Sequence, residues 1–354
     1  MSSQEQMTAA APEAPPHQTI ALRDGSELQI YKLQCPVEPA LRGPVTAILN
    51  TEWPNGDFYW NESMAGDYAD SLTVVMCPAM REGRWVGNAT VAFAANSPEV
   101  GAVCDVMTHP DARGLGVARA ATQAVTCHAV ECGARAVYLG TERAGSAQRV
   151  YQRIGFEWFH GGVMRHLSAH GQDFDETYFA SGQRTSTRAA EWGDLPGVSA
   201  LFGQPYAMLA GDCARGLFSP ARTFHGRCVS VFPYIYYDVL AKAGSCRVLV
   251  GQTPHRILGL ATMTPIDTAY RRHVGVLDVM TQDRFAEDGP RLLRDTIDSA
   301  RQTGMRRGVA YVPSTDTLKA QWVRDQGGRS VGTMPEQIKL DEGSIDVEIF
   351  EISL

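Results

Sequence analysis

The stretch Pro110-Asp111-Ala112-Arg113-Gly114-Leu115-Gly116-Val117-Ala118 decides how the rest of the chain is read. Before it runs Val100–Thr108, a mostly apolar segment of strand character. After it, from about Gly116 to Cys132, Val117, Ala121, Ala124, Val125, Ala129 and Cys132 recur at three- and four-residue steps. That spacing predicts a helix with one apolar face, and Gly133 stands where a C-terminal cap is expected. Arg113-Gly114-Leu115-Gly116 is therefore a strand-to-helix turn. Its glycines let the backbone bend sharply and let an anion approach closely. The first N–H groups of a helix lack internal partners, and with the helix dipole they form an anion site. The segment is a candidate pyrophosphate cradle, although two glycines opening a helix also fit a plain tight turn.

Context narrows the choice. A Walker A loop requires a Lys followed by Ser or Thr, and none follows here. A Rossmann fingerprint requires three spaced glycines in an early parallel βαβ unit. Here the expected strands Leu72–Met76, Trp85–Phe93 and Val100–Thr108 are joined by hairpin turns at Arg81-Glu82-Gly83 and Asn96-Ser97-Pro98. Further upstream, Leu28–Lys32 reads as a strand. Glu38–Glu52 reads as a helix on Leu41, Val45, Ile48 and Leu49, and Pro54–Asp70 as irregular. Downstream, Ala136–Leu139 reads as a strand and Ser146–Arg153 as a short helix ended by Gly155.

These residues resemble the GNAT acyltransferase superfamily, whose phosphate loop reads Q/R-x-x-G-x-G/A. Arg113-Gly114-Leu115-Gly116-Val117-Ala118 is similar to its common R-G-x-G-x-A variant, and Val106-Met107-Thr108-His109-Pro110 to the fourth strand entering that loop. The segment Ala147-Gln148-Arg149-Val150-Tyr151-Gln152-Arg153-Ile154-Gly155-Phe156 resembles the second signature, A-x-x-x-Y-x-x-x-G-F. The resemblance implies that backbone groups of Val106, Met107 and Thr108 pair with a pantetheine arm. It also implies that the amides of Arg113, Gly114, Leu115, Gly116, Val117 and Ala118 hold the pyrophosphate. Acetyl-CoA or another acyl-CoA would be the cosubstrate, with no permanently bound cofactor. Ala144 and Ser146 depart from the family's usual Asn and Arg, which removes a side-chain contact to the donor.

The same resemblance makes Tyr151 the expected catalytic acid. A phenol with an ordinary pKa near ~10 can protonate a thiolate as it leaves. The base that would take the amine's proton is not singled out. Glu99, Asp105, Glu52, Asp57 and Glu62 are candidates, and each also fits an ordinary surface or turn carboxylate. Tyr59 and Trp60 could line an acceptor pocket or simply be core. His109 reads as structural, and Cys104 as a core thiol with no identifiable His partner.

The chain also repeats itself. Asp105-Val106-Met107-Thr108 corresponds to Asp278-Val279-Met280-Thr281, and both are followed by an expected helix, strand and helix. In the second copy, Ala286 falls at the position of Arg113, Glu287 and Asp288 at Gly114 and Leu115, Gly289 at Gly116, and Arg291 at Ala118. Two carboxylates there would repel a pyrophosphate. The tyrosine position falls near Val323. The opening Arg188-Ala189-Ala190-Glu191-Trp192-Gly193-Asp194-Leu195 resembles the start of a GNAT domain, with Asp194 available as a cap.

At 354 residues the chain is long enough for two domains of roughly 100–200 residues each. The expected fold is α/β (α+β): two GNAT-like domains, each a mixed, mainly antiparallel sheet flanked by helices. The expected boundaries are a disordered tail over 1–18, a catalytic domain over 19–167, a linker over 168–184 and a degenerate copy over 185–354. The degenerate copy would support the first domain and shape the acceptor side. The net charge of −7 argues against nucleic acid and weakly favours a cationic amine. None of the eight cysteines forms a C-x-x-C pair and no pattern has metal-ligand spacing, which suits a reducing cytoplasm. There is no signal peptide or apolar run of about 18 residues, so no membrane partner is expected. The sequence is silent on oligomeric state and allows a homodimer. The activity expected is N-acylation of a small-molecule amine, acetyl by default, in small-molecule or secondary metabolism. A carrier-protein or aminoacyl-tRNA donor, and a non-enzymatic acyl-CoA sensor, are the alternatives.

Overall fold

A computed structural model describes residues 12, 15–54, 59–205, 211–212, 217–218, 231–340 and 343–354. The expected disordered tail lies mostly outside the described residues. The chain divides near Gln172 and Asp173 into two compact units.

The first unit opens with a hairpin of β1 (Gln18–Ala21) and β2 (Glu27–Ile30), then β3 (Leu33–Gln34). Helix α1 (Pro39–Glu52) starts on a proline, which has no N–H to leave unpaired there. It buries Leu41, Val45, Ile48 and Leu49, the residues whose spacing predicts it. Helix α2 (Tyr59–Ala65) stands inside the stretch expected to be irregular, and its Tyr59, Trp60 and Met64 are buried. The segment is too short for a helical period to show, so its aromatic anchors read as composition.

Strands β4 (Leu72–Met76), β5 (Ala79–Arg81), β6 (Arg84–Ala94) and β7 (Ser97–Thr108) follow, then helix α3 (Val117–Glu131). Strand β8 (Ala136–Gly140), helix α4 (Ser146–Gln152) and strands β9 (Glu157–His160) and β10 (Val163–Leu167) complete the set. The ten-stranded sheet runs β1-β2-β5-β6-β7-β8-β10-β9, with β4 bridging β3 and β6. Ala121, Val125 and Ala129 of α3 share one buried cluster with Val91 and Val103 of the sheet. Gly133 follows the helix at φ +110, the left-handed turn its sequence position predicts.

The stretch 168–184 is more than a connector. Helix α5 (Phe174–Tyr178) lies in it, and Phe174, Tyr178 and Phe179 are buried. The Tyr178 hydroxyl donates to the carbonyl of His255 and accepts from the Ile257 N–H. The polar residues around these aromatics hide the anchor in the sequence.

The second unit contains β11 (Ser186–Ala189), α6 (Leu195–Gly203) and the short pair β12 (Gly211–Asp212) and β13 (Leu217–Phe218). Next come α7 (Phe232–Asp238), β14 (Ser245–Val250), β15 (Ile257–Pro265) and β16 (Val274–Thr281). Helix α8 (Gly289–Gln302), β17 (Arg307–Pro313), α9 (Thr317–Asp325), β18 (Arg329–Leu340) and β19 (Gly343–Ser353) close it. Its seven-stranded sheet runs β11-β14-β15-β16-β17-β19-β18. Asp194 does serve at a helix start, but from inside a capping box. It accepts from the Glu191 N–H at 2.9 Å and is clamped by Arg188 and by His255 at 3.0 Å. Glu191, Asp194 and His255 bring ligand-type atoms within 4.8 Å of one another. Arg188 donates to both Asp194 oxygens, so the cluster is satisfied as a cap.

Each unit is thus a mixed, mainly antiparallel sheet with helices. Among the registered pairs, β7–β8 and β16–β17 are parallel. The order β7-α3-β8-α4 recurs as β16-α8-β17-α9. No described helix is long and apolar enough to cross a membrane.

Candidate active site

The site is built where β7 leaves β8. The parallel ladder with β8 is registered from Val100↔Ala136 to Ala102↔Tyr138, while β7 continues to Thr108. Val106, Met107 and Thr108 lie on that continuation. On the other side, β7 remains paired to β6, with Asn88↔Met107 and Gly87↔Thr108. The pairing slips between Asn88 and Thr90, so a bulge sits at Asp105–Val106. Asp105 takes a left-handed φ of +53, a conformation Asp tolerates better than most residues. The Asn88 amide donates to the Asp105 carbonyl at 3.2 Å and to Thr90 Oγ1 at 3.0 Å, tying the bulge to β6.

Beyond Thr108 the chain makes a tight turn over Pro110–Ala112, where His109 Nδ1 accepts from the Asp111 N–H at 3.3 Å. His109 is structural, as its position suggests. Gly114 (φ +82) and Gly116 (φ +109) then reverse the chain into α3. A Cβ at either glycine would meet nothing within 4 Å. These glycines serve backbone conformation, and the space over the helix start is open. Arg113 and Gly114 are exposed, Leu115, Gly116 and Ala118 half-buried, and Val117 buried. Val117 fixes the helix start against the sheet. Its Cγ1 approaches Gly87 so closely that a Cβ there would lie 2.4 Å away.

The Arg113 side chain folds back instead of reaching over the loop. Its Nε donates to the Thr108 carbonyl at 3.2 Å, and Nη2 pairs with Glu52 at 3.0 Å. Arg23, from the β1–β2 turn, donates to the Gly114 carbonyl at 3.3 Å. Nothing in the sequence connects Arg23 with a loop 91 residues away. Within β7, Thr108 Oγ1 is buried without a hydrogen-bond partner.

Tyr151 lies on α4 and is 7% exposed. Its ring meets Phe156 edge-on at 6.2 Å between centroids. It belongs to the buried cluster that also holds Val103 and Val117.

Among the carboxylates considered as bases, Glu52 is engaged by Arg113, Glu62 accepts from the Tyr68 hydroxyl, and Glu99 lies 3.7 Å from Arg135. Asp57 lies outside the described residues. The Asp105 carboxylate differs from all of these. It accepts from Cys104 Sγ at 3.0 Å and from the Tyr59 hydroxyl at 3.4 Å, and Tyr59 and Cys104 touch each other at 3.1 Å. Burial pushes its pKa up to about 6 against the opposing pull of those donors, Trp60 and Thr90. Cys104 is buried, as expected, and Tyr59, whose place the sequence left open, is buried too; both face the Asp105 carboxylate. The Trp60 indole N–H is close enough to influence Asp105, yet lies outside hydrogen-bond geometry and has no partner.

The second unit handles the same positions differently. Strand β16 pairs with β15 from Gly259↔Thr281 to Pro265↔Gly275 without a slip. Its ladder with β17 extends to Leu277↔Ala310, adjacent to Asp278. Asp278 binds Lys319 Nζ at 2.7 Å, with Lys319 almost fully buried. At the helix start, Gly289 has helical φ of −54, and a Cβ there would lie 2.5 Å from the Trp322 ring.

Residues 45–156 match the family model described as the acetyltransferase (GNAT) family. No curated protein matches the chain in sequence. Among solved structures, similar folds include an acetyltransferase of the GNAT family from Streptococcus pneumoniae. It is 18% identical at a TM-score of 0.39 and covers 48% of this chain and 100% of its own. A GNAT superfamily phosphinothricin acetyltransferase from Sinorhizobium meliloti, in complex with AcCoA, is 13% identical at a TM-score of 0.41, covering 48% and 88%. A GCN5-related N-acetyltransferase from Kribbella flavida is 21% identical at a TM-score of 0.38, covering 48% and 98%. The matched residues 45–156 span the Gly114–Gly116 turn, the bulged strand and the segment carrying Tyr151, and over that part the chain is similar to the acetyltransferase (GNAT) family.

Proposed function

We propose that the chain is an acyl-CoA-dependent N-acyltransferase, acetyl by default, that acts on a small-molecule amine by direct transfer at one centre in its first unit. The observation that carries this reading is the open helix start at Gly114–Gly116, reached from a strand that has parted from its neighbour. The N–H groups that begin α3 have no intrahelical partners, so they suit a pyrophosphate. The edge of Val106–Thr108 that no longer pairs with β8 suits an amide-bearing pantetheine arm, because strand groups without a ladder partner seek hydrogen bonds. The unpartnered Thr108 hydroxyl lies on the same strand. Arg23 adds positive charge beside the loop.

The protein's contribution is then positioning and proton handling. The cradle and the strand edge fix the thioester while the acceptor nitrogen attacks its carbonyl carbon. The C–N bond forms, the C–S bond breaks, and the Tyr151 hydroxyl supplies a proton to the departing sulfur. No covalent enzyme intermediate is required. A cytoplasmic role in small-molecule or secondary metabolism fits such a centre.

The test is a thiol-release assay with acetyl-CoA across a panel of primary amines, comparing the intact chain with Tyr151→Phe. A general acid contributes about 10²–10⁴-fold to rate, so the variant should lose turnover on that scale while binding acetyl-CoA normally. Tight acetyl-CoA binding with no thiol release for any amine would instead identify a sensor.

A further inference from the structure

Among the described carboxylates named above, Asp105 alone combines burial, a left-handed backbone and a shell of neutral donors. We propose that Asp105 is the general base of the transfer, accepting a proton from the acceptor's ammonium so that its nitrogen attacks as a neutral amine. The inference rests on the acyltransferase reading above.

Position is the first argument. Asp105 sits on the bulge immediately before Val106–Thr108, at the level where β7 has left β8. The bulge turns it out of the regular ladder at φ +53. A left-handed non-glycine residue in mid-strand is strained, and such strain collects at functional sites. The second copy is an internal control. The corresponding strand pairs with no slip, and the corresponding Asp278 is neutralised by Lys319 at 2.7 Å. The chain has thus kept the aspartate twice and the bulge once.

The surroundings of Asp105 are the second argument. Helix α2 presents the Tyr59 phenol and the Trp60 indole, β6 presents Thr90 and Asn88, and β7 presents the Cys104 thiol. Among the described residues Asp105 has no ion-pair partner. A carboxylate held only by neutral donors can still take up a proton, whereas one paired to a lysine resists it. Burial raises its affinity for that proton into the range useful to a base near neutral pH. The Trp60 N–H, on a residue only 8% exposed, has no hydrogen-bond partner. A buried donor left unmade is costly, and here it lies beside the carboxylate, where an acceptor group or a water relaying the proton would satisfy it.

The protons balance. The ammonium gives one proton to Asp105, which passes it to solvent. After attack the nitrogen gives up a second proton to solvent, and the Tyr151 hydroxyl delivers one to the sulfur and is reprotonated from solvent. The amide keeps the remaining hydrogen of a primary amine.

The test uses the intact chain, acetyl-CoA and four primary amines: phenethylamine, putrescine, lysine and glucosamine. Wild type should show a kcat/KM that falls as pH drops below about 6. Asp105→Asn should lose about 10²–10⁴-fold in kcat/KM and lose that acid limb, while its acetyl-CoA dissociation constant stays within about twofold. Asp105→Glu should recover part of the rate and an acid limb at a shifted pH. A wild-type profile that is flat through pH 5–7 overturns the assignment, even if Asp105→Asn does not fold. Equal turnover by wild type and Asp105→Asn overturns it while leaving the acyltransferase reading in place. Absence of turnover by wild type on every amine removes both.

Discussion

At the scale of single residues, the role proposed for Asp105 sets function against stability. Its pKa is raised from 3.8 to about 6, chiefly by burial, against the opposing pull of Cys104, Trp60, Thr90 and Tyr59. The native state therefore binds this proton more tightly than the unfolded chain does. Between about pH 4 and pH 6 the unfolded state has released the proton and the native state has not, so stability declines as pH rises through that window and levels off above it. Asp105→Asn removes the cost of the buried charge. It should stabilise the protein at pH 7–8 by on the order of 1–3 kcal/mol, with the gain vanishing toward pH 4. Urea unfolding of both proteins at pH 4.5 and 7.5 measures this. A variant less stable than wild type at pH 7.5 would mean that the lost hydrogen bonds outweigh the charge. The sequence could name Asp105 as one acidic residue among five but could not rank it. Its rank comes from Tyr59, Trp60, Asn88 and Thr90, which lie 15 to 46 positions away in sequence and meet it through sheet pairing and the packing of α2.

At the scale of elements, the cradle depends on how closely α3 approaches β6. Val117 opens α3 and packs over Gly87, where a Cβ would lie 2.4 Å from Val117 Cγ1 and 3.0 Å from the Met107 carbonyl. Gly87→Ala must therefore push the helix start away from the strand. Overpacking of this kind costs about 1–3 kcal/mol, and here it also shifts the amides proposed to hold the pyrophosphate. The expected outcome is a lowered melting temperature together with weakened acetyl-CoA binding, read by calorimetry. Gly43→Ala is the control: it lies within α1 with nothing near its Cβ. Replacing a mid-helix glycine should stabilise by about 0.5–1 kcal/mol and leave acetyl-CoA affinity unchanged. Weakened binding in Gly43→Ala, or normal binding in Gly87→Ala, would break the link between this contact and the cradle. Most elements here were legible because the apolar pattern is periodic. The faces of α1 and α3, strands β4, β6 and β7, and the turn at Gly114–Gly116 all follow from local spacing. Helices α2 and α5 were not legible, because each spans about two turns or fewer and is held by aromatic anchors amid polar residues. The bulge was not legible either, since an extra residue in one strand leaves no mark until its partner is known.

At the scale of the whole molecule, the question is whether a chain with two similar scaffolds carries one site or two. The first helix start is open above Gly114 and Gly116. At the second, the Trp322 ring packs so tightly on Gly289 that even a methyl group would clash. Asp288 stands just before α8 and accepts from Arg291 at 2.6 Å, and Thr185 donates to the same carboxylate at 3.1 Å. An incoming pyrophosphate would have to displace this cluster and face Glu287 and Asp288. Strands β16 and β17 also remain paired up to the residue before Asp278, which leaves less strand edge for a pantetheine arm than β7 offers. The expected stoichiometry is therefore one acetyl-CoA per chain by isothermal titration. Replacing Gly116 with a bulky residue such as Trp should abolish it, because the left-handed φ of +109 and the open space are both lost. Trp322→Ala, which uncovers Gly289 but leaves the carboxylates in place, should not create a second site. Two equivalents bound by wild type, or residual tight binding after Gly116→Trp, would place a working cradle in the second unit. That result would contradict the reading of one catalytic centre in a duplicated chain.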